Sequence, residues 1–318
     1  MPTESPAAVR LEGVVQRARL LSLLRGFFAE RNVLELETPV LSSAGNSDPG
    51  INQFQTRCGR WLRTSPEYAI KRLLADGLGD CYELGRVFRA GEAGSWHNPE
   101  FTMLEWYRVG WNYTDLMAEV AELVNDCGDA FGKQWQVKTV SYRDWFRDAI
   151  DLDPLVAKRQ DLLNAIDHFG IALQGATDFD RDALLDVLVS HEIQPSMDPH
   201  TLTLVSLYPA SQAALAQLHA ADNRLAERFE VFVGPVELAN GYQELTDAVQ
   251  QRERFEEENQ KRRDAGLTPV PLDEHLLAAL ETGLPRCTGV ALGVDRLLAA
   301  LTGSSDIRQC LALPWALA

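Results

Sequence analysis

Arg89 and Arg296 constrain the fold most, because each borders a segment that reads as a strand and most of the chain lies between them. Around the first runs Phe88-Arg89-Ala90-Gly91-Glu92, followed by His97-Asn98-Pro99-Glu100-Phe101. Around the second runs Gly289-x-x-x-Gly293-x-Asp295-Arg296, and Glu237 and Glu244, seven apart, fall in between. For these to serve one site, a sheet must bring distant strands side by side. Together they supply two fixed cations for a polyphosphate, an aromatic face for a base, and carboxylates for a divalent metal or an amine.

The rest of the chain narrows the class. It has 318 residues, 46% hydrophobic and 24% charged, with no apolar run long enough to span a bilayer and no charged-then-apolar leader. A soluble, cytoplasmic protein without a membrane partner is expected. The net charge of −16 argues against an extended nucleic-acid surface, since phosphate binding relies on Lys and Arg displacing counterions. Cys58, Cys81, Cys127, Cys287 and Cys310 are odd in number and lack a CxxC pair, which fits packing in a reducing compartment.

Periodicity predicts an amphipathic helix from Val14 to Arg31, an extended segment at 33–41, and a strand near Trp61-Leu62-Arg63. The turn Thr64-Ser65-Pro66-Glu67 leads into a helix through Ala75. Strands follow at 81–88 and 101–107, joined by a glycine-containing loop. Residues 112 to about 228 read as a mostly helical insertion, with one apolar strand at 202–207 and polar breaks at 151–154, 170–180 and 195–199. Strands at 228–236 and 241–245, a charged helix at 247–265 and a strand–helix unit at 289–302 complete the pattern. Residues 1–9 read as a flexible tail.

Glu35-Leu36-Glu37-Thr38-Pro39 resembles the first motif of class II aminoacyl-tRNA synthetases, Phe88-Arg89 through Phe101 the second, and Gly289 to Arg296 the third. The string His97-Asn98-Pro99-Glu100-Phe101-Thr102-Met103-Leu104-Glu105 is similar to the lysyl-tRNA synthetase group. The chain starts shortly before its first motif, so no anticodon-binding domain is expected. With Thr64-Ser65-Pro66-Glu67-Tyr68 and Phe101 to Tyr107, it looks like the elongation factor P lysine ligase family. That family activates lysine, preferably the β-isomer, and transfers it to a lysine side chain of the translation factor. The resemblance implies a single α+β catalytic domain over 1–318, built on a six- or seven-stranded antiparallel sheet flanked by helices and paired as a homodimer through the first motif. It also implies ATP and Mg2+, and makes tRNA an unlikely partner.

Site residues follow from the same likeness. Arg89 would meet the α-phosphate, where attack develops negative charge, and Arg296 the γ-phosphate. Ala90, Gly91, His97, Asn98, Leu238 and Gly293 would contact the nucleotide, with Phe101 stacking on adenine. Glu237 and Glu244 would hold magnesium. Ser65, Pro66, Glu67, Glu105, Tyr107 and Glu244 would form an acidic pocket for a substrate with two ammonium groups, Glu67 meeting the backbone amine and Glu105 and Tyr107 the side-chain end. Ala291 stands where lysyl-tRNA synthetases usually have glycine, and its methyl would disfavour an α-amine. Arg89 is followed by Ala90-Gly91-Glu92 instead of Asn-Glu, and Ser95-Trp96 precedes His97 in place of a basic or aromatic pair. The charged helix offers Arg252, Arg254, Lys261, Arg262 and Arg263 for docking an acceptor. The alternatives are a ligase acting on tRNA or a free amino acid acceptor, and a non-catalytic regulator that binds nucleotide.

Overall fold

The computed structural model describes residues 6–173 and 179–318. The chain divides into two compact units, one formed by residues 1–133 with 244–318 and the other by 134–243. The elements run α1 (Pro6–Glu30), β1 (Leu34–Glu35), β2 (Leu41–Ser42), β3 (Trp61–Leu62), α2 (Glu67–Ala75), β4 (Cys81–Phe88), β5 (Glu100–Val109) and α3 (Tyr113–Phe131). The second unit supplies β6 (Gln136–Ser141), α4 (Tyr142–Ile150), α5 (Arg159–His168), α6 (Arg181–Leu188), β7 (Thr201–Pro209), β8 (Leu225–Val233) and β9 (Val236–Gln243). Back in the first unit come α7 (Ala248–Asp264), α8 (Glu274–Gly283), β10 (Cys287–Gly293) and α9 (Val294–Thr302). The fold is α+β.

In the first unit the strands lie in the order β1-β4-β5-β10. β1 pairs with β4 in parallel, whereas β4–β5 and β5–β10 are antiparallel. Side chains alternate across a strand, so Met103, Glu105 and Tyr107 share one face of β5 while Thr102, Leu104, Trp106 and Arg108 share the other. The second face is the packing face. Phe28 of α1 stacks on Tyr82 at 4.4 Å between ring centroids and meets Trp106 edge-on at 5.4 Å. Such aromatic contacts add about 0.5–1.5 kcal/mol each beyond the area buried.

The polar groups on that face are satisfied by dedicated partners. Glu119 of α3 accepts from Trp106 Nε1 at 2.9 Å and from Arg108 Nε at 3.0 Å. Asp295 accepts from the Thr102 backbone N–H at 2.9 Å and pairs with Arg17 of α1, whose other Nη donates to Thr102 Oγ1 at 2.5 Å. Asp295 therefore pins the turn from β10 into α9 and fixes where Arg296 begins. On the opposite face, Glu83 of β4 accepts from the backbone N–H and Oγ1 of Thr38 and pairs with Arg63 at 2.5 Å. This ties the segment after β1 to the segment just past β3 that carries Arg63 and Thr64.

In the second unit the order is β9-β8-β7-β6, with β6–β7 parallel and the other pairs antiparallel. Its core gathers Tyr142, Phe146, Leu162, Leu185, Val205 and Phe232. Three expectations change. The sheet strands are mixed in direction, because β1 and β6 each join their neighbour in parallel. Helix α3 belongs to the first unit, and the region read as mostly helical contains β6 besides the expected strand at 202–207, which is β7, and the start of β8, which overlaps the strand expected at 228–236. The tail expected over 1–9 falls partly outside the described residues, and from Pro6 the chain is already helical. The break expected at 170–180 also overlaps residues outside the described set. Among the described residues no helix is long and apolar enough to cross a membrane.

Candidate active site

The nucleotide-side residues sit where β4 leaves the sheet and β5 returns. Arg89 N–H donates to Pro99 O and Ala90 N–H to Asn52 O, both at 2.9 Å, and Gly94 N–H donates to His97 O at 2.9 Å, closing the loop. Gly91 turns this loop with φ +80°, a conformation L side chains rarely adopt. The Arg89 guanidinium carbon lies 5.3 Å from the Phe101 ring centroid, and its Nε is buried without a hydrogen-bond partner. A buried donor left unpaired costs about 1–3 kcal/mol, so this arginine is poised for an acceptor that arrives with a ligand.

Arg296 reaches back across the same loop. Its Nε donates to Trp96 O at 3.1 Å, and its Nη2 lies 2.7 Å from His97 Nε2. The two arginine motifs are thus brought together within the first unit. Asn98 is engaged at both ends: Nδ2 donates to Glu100 O at 2.6 Å and Oδ1 accepts from Trp315 N–H at 3.0 Å. Gly293 caps the N-terminus of α9 with extended backbone. Glu237 and the buried Leu238 lie on β9 of the second unit.

The acidic residues are built on β5, β10, the β3–α2 turn and the segment after β9. Ser65 Oγ donates to Glu105 Oε2 and Tyr107 OH to Glu105 Oε1, both at 2.7 Å. Ser65 Oγ also accepts from Glu67 N–H at 3.0 Å, while Pro66 O accepts from Ala69 and Ile70 and starts α2. Burial pushes the Glu105 carboxyl up to about 8, with Glu67 adding to the rise and the Ser65 and Tyr107 hydroxyls opposing it. Burial likewise raises Glu244 to about 7, with Lys71 opposing and Glu67 adding.

Lys71, which sequence reasoning did not single out, lies in the centre of these carboxylates. Its Nζ is 2.6 Å from Glu67 Oε1 and 2.6 Å from Glu244 Oε2, and its side chain is 1% exposed. Burial opposes its charge, but Glu244 and Glu67 more than offset this and raise its pKa. The clue available in the sequence is the i,i+4 spacing of Glu67 and Lys71 on α2. Gly289 matters for a second reason. It faces Tyr107 across the ladder, and a Cβ there would fall 2.3 Å from Tyr107 Cε1 and 2.6 Å from Glu244 Oε1. Ala291 faces Glu105 in the same register.

Among the described residues no cluster of three or more His, Cys, Asp or Glu side chains is arranged to hold a metal. Carboxylate oxygens are the hard donors that magnesium prefers; Glu237 lies on β9 of the second unit, and Glu244 of the first unit pairs with Lys71. On the charged helix, Arg262 turns inward to Thr268 O and Asp48 O, and Arg252 pairs with Glu274. Arg262 is thereby taken up inside the fold, whereas Arg252 stays at the surface in its ion pair. Ser65, Pro66 and Glu67 also line a cavity of about 280 Å³, together with Arg60, Arg72 and His275. Cys58, two residues before Arg60, is exposed, whereas Cys81, Cys127, Cys287 and Cys310 are buried.

Residues 10–316 match the family of class II tRNA synthetases (D, K and N). An elongation factor P–(R)-β-lysine ligase of Vibrio cholerae serotype O1 is 43% identical over 327 residues, covering 99% of this chain and 97% of that protein. Proteins of the same name from Proteus mirabilis and Edwardsiella ictaluri are 42% and 44% identical, covering 96% and 94% of this chain and 95% and 94% of their own lengths. The chain belongs to the class II tRNA synthetase (D, K and N) family.

Proposed function

We propose that this protein is an ATP-dependent ligase that activates lysine, with (R)-β-lysine the preferred isomer, and transfers it to a lysine side chain of elongation factor P. The observation that carries this reading is the buried pocket of Glu67, Glu105 and Glu244, three carboxyl groups set against the single cation of Lys71, which leaves acidic groups for the ammonium groups of a substrate to pair with. The names of the relatives supply the isomer and the acceptor.

In the first stage the substrate carboxylate attacks the α-phosphate of ATP, the bond to pyrophosphate breaks, and a lysyl-adenylate forms. Arg89 is placed on the α-phosphate and Arg296 on the γ-phosphate, with Phe101 stacking on adenine. Ala90, Gly91, His97, Leu238 and Gly293 line the nucleotide, and Asn98 holds its strand in place through its two internal hydrogen bonds. Glu237, together with phosphate oxygens, would hold Mg2+, which would neutralise phosphate charge, while Glu244 serves the amine pocket. In the second stage a neutral amine of the acceptor attacks the activated carbonyl, an amide forms, AMP leaves, and the amine proton is lost to solvent. Ser65, Pro66, Glu67, Glu105 and Tyr107 orient the substrate amines, and the Ala291 methyl biases the site toward the β-isomer. We further place the enzyme in the cytoplasm as a homodimer joined at the first motif, where Leu34, Val40 and Leu41 are exposed. Lysine-dependent exchange of pyrophosphate into ATP, followed by weighing elongation factor P, tests this proposal; exchange without any mass gain on the factor, but with charging of tRNA, would replace it by the tRNA alternative.

Substrate affinity should depend on pH through Glu105. Its folded value of about 8 lies above its ordinary 4.5, so the empty protein gains stability from the neutral acid that is fully present below about 4.5 and lost as pH rises through about 8. A bound ammonium favours the ionised form. The Kd for the diamine should therefore fall from about pH 6 to about pH 8, by up to about tenfold per pH unit, and level off above. Calorimetric titrations across this range check the slope, and Glu105→Gln should remove the part above about pH 7, leaving below it the contribution of Glu244.

A further inference from the structure

We propose that Lys71 is a positioning residue for the amine pocket, an internal ammonium that clamps the Glu67 and Glu244 carboxylates so that the remaining oxygen of each faces the substrate. The inference rests on the reading of this pocket as a diamine site. Lys71 takes one oxygen from each partner, Oε1 of Glu67 and Oε2 of Glu244, both at 2.6 Å. Glu67 Oε2 and Glu244 Oε1 are left, and the latter lies against Gly289, where only a hydrogen fits. Glu67 comes from the first turn of α2 and Glu244 from the segment after β9, so the two belong to remote parts of the chain. The local sequence of neither would hold them side by side.

The physical need for such a clamp is strong. Two carboxylates 2.6 Å from one buried point repel each other, and each long side chain has rotamers that would carry it away from its neighbour. An ammonium between them removes the repulsion and fixes both rotamers before substrate arrives, which is how a supporting shell sets a site. The burial of Lys71 at 1% exposure leaves it no contact with bulk water and no role as a surface charge. Its position at the base of the pair makes it act through the glutamates.

The test is pyrophosphate exchange and calorimetric binding of β-lysine, without ATP or magnesium in the binding arm, on the full chain and on Lys71→Met and Lys71→Ala. Lys71→Met should raise the KM and Kd for β-lysine about 100-fold while the KM for ATP stays within about threefold. Propylamine should restore Lys71→Ala about tenfold, and propanol should not, because the clamp needs charge and not bulk. A wild-type protein that shows no lysine-dependent exchange or binding would refute the diamine reading itself. A wild type that binds β-lysine, with Lys71→Met unchanged within about threefold or Lys71→Ala restored equally by propanol, overturns the clamp alone. If Lys71→Met does not melt cooperatively, the triple variant Lys71→Met/Glu67→Gln/Glu244→Gln leaves neither carboxylate without its cation and carries the test: its Kd for β-lysine should match that of Glu67→Gln/Glu244→Gln within about threefold, and a further tenfold loss overturns the proposal.

Discussion

Replacing Arg89 by alanine is expected to lower lysine-dependent pyrophosphate exchange by about 1,000-fold or more, close to the loss of activity altogether. The guanidinium is held in place before any ligand binds, by β4, by the Phe101 ring and by the backbone bond from Arg89 N–H to Pro99 O. Its Nε is already withdrawn from water without a partner, so the cost of desolvating it is met in the free protein and a phosphate oxygen gains the full bond. Arg89→Lys should recover little, since a point charge on a flexible stem cannot reproduce the planar fork or its stacking on Phe101. The KM for lysine should move far less than the rate. An Arg89→Ala variant that folds and exchanges pyrophosphate at more than about a tenth of the normal rate would remove Arg89 from the phosphate.

Gly289→Ala is expected to be nearly as severe, for a steric and not an electrostatic reason. The added methyl would sit 2.3 Å from Tyr107 Cε1 and 2.6 Å from Glu244 Oε1, inside the distance any Cβ tolerates. Tyr107 is 2% exposed and its hydroxyl is bound to Glu105, so it can give way only by breaking that bond. Overpacking of this kind costs about 1–3 kcal/mol in stability, which lowers the melting point by several degrees. The effect on substrate should be larger: a Kd for β-lysine raised about 100-fold or more, because the displaced groups are the pocket walls. Ala291→Gly is the informative contrast. It opens space without a clash and should leave the melting point nearly unchanged while narrowing the preference for the β-isomer by about tenfold or more. Equal exchange with α- and β-lysine in both wild type and Ala291→Gly would discard the selectivity assigned to that methyl.

Much of the first unit was legible because its strands carry their own signal. The predicted strand at 81–88 coincides with β4 (Cys81–Phe88), and that at 101–107 lies within β5 (Glu100–Val109), since both runs are long, rich in β-formers and bounded by turns. The charged helix at 247–265 matches α7 (Ala248–Asp264), started by the Asp247 side chain accepting from Val249 and Gln250 N–H. β6 was not legible: Gln136-Val137-Lys138-Thr139 is exposed along its whole length, so no buried face marks it as a strand. The parallel pairing of β1 rests on two residues, too few for any periodicity. Lys71 escaped for a different reason. A lysine on a helix ordinarily signals a solvated face, and what buries this one is Glu244, a partner that only the fold brings near.

Because Cys58 alone among the five cysteines is exposed, a maleimide fluorophore should couple at a single place without any mutagenesis. Hydrogen bonding from the Thr56 hydroxyl lowers the Cys58 thiol below its ordinary value, which raises the fraction of reactive thiolate near neutral pH. The dye would stand two residues from Arg60, which lines the same hollow as Ser65 and Glu67, and its emission could follow substrate capture in real time.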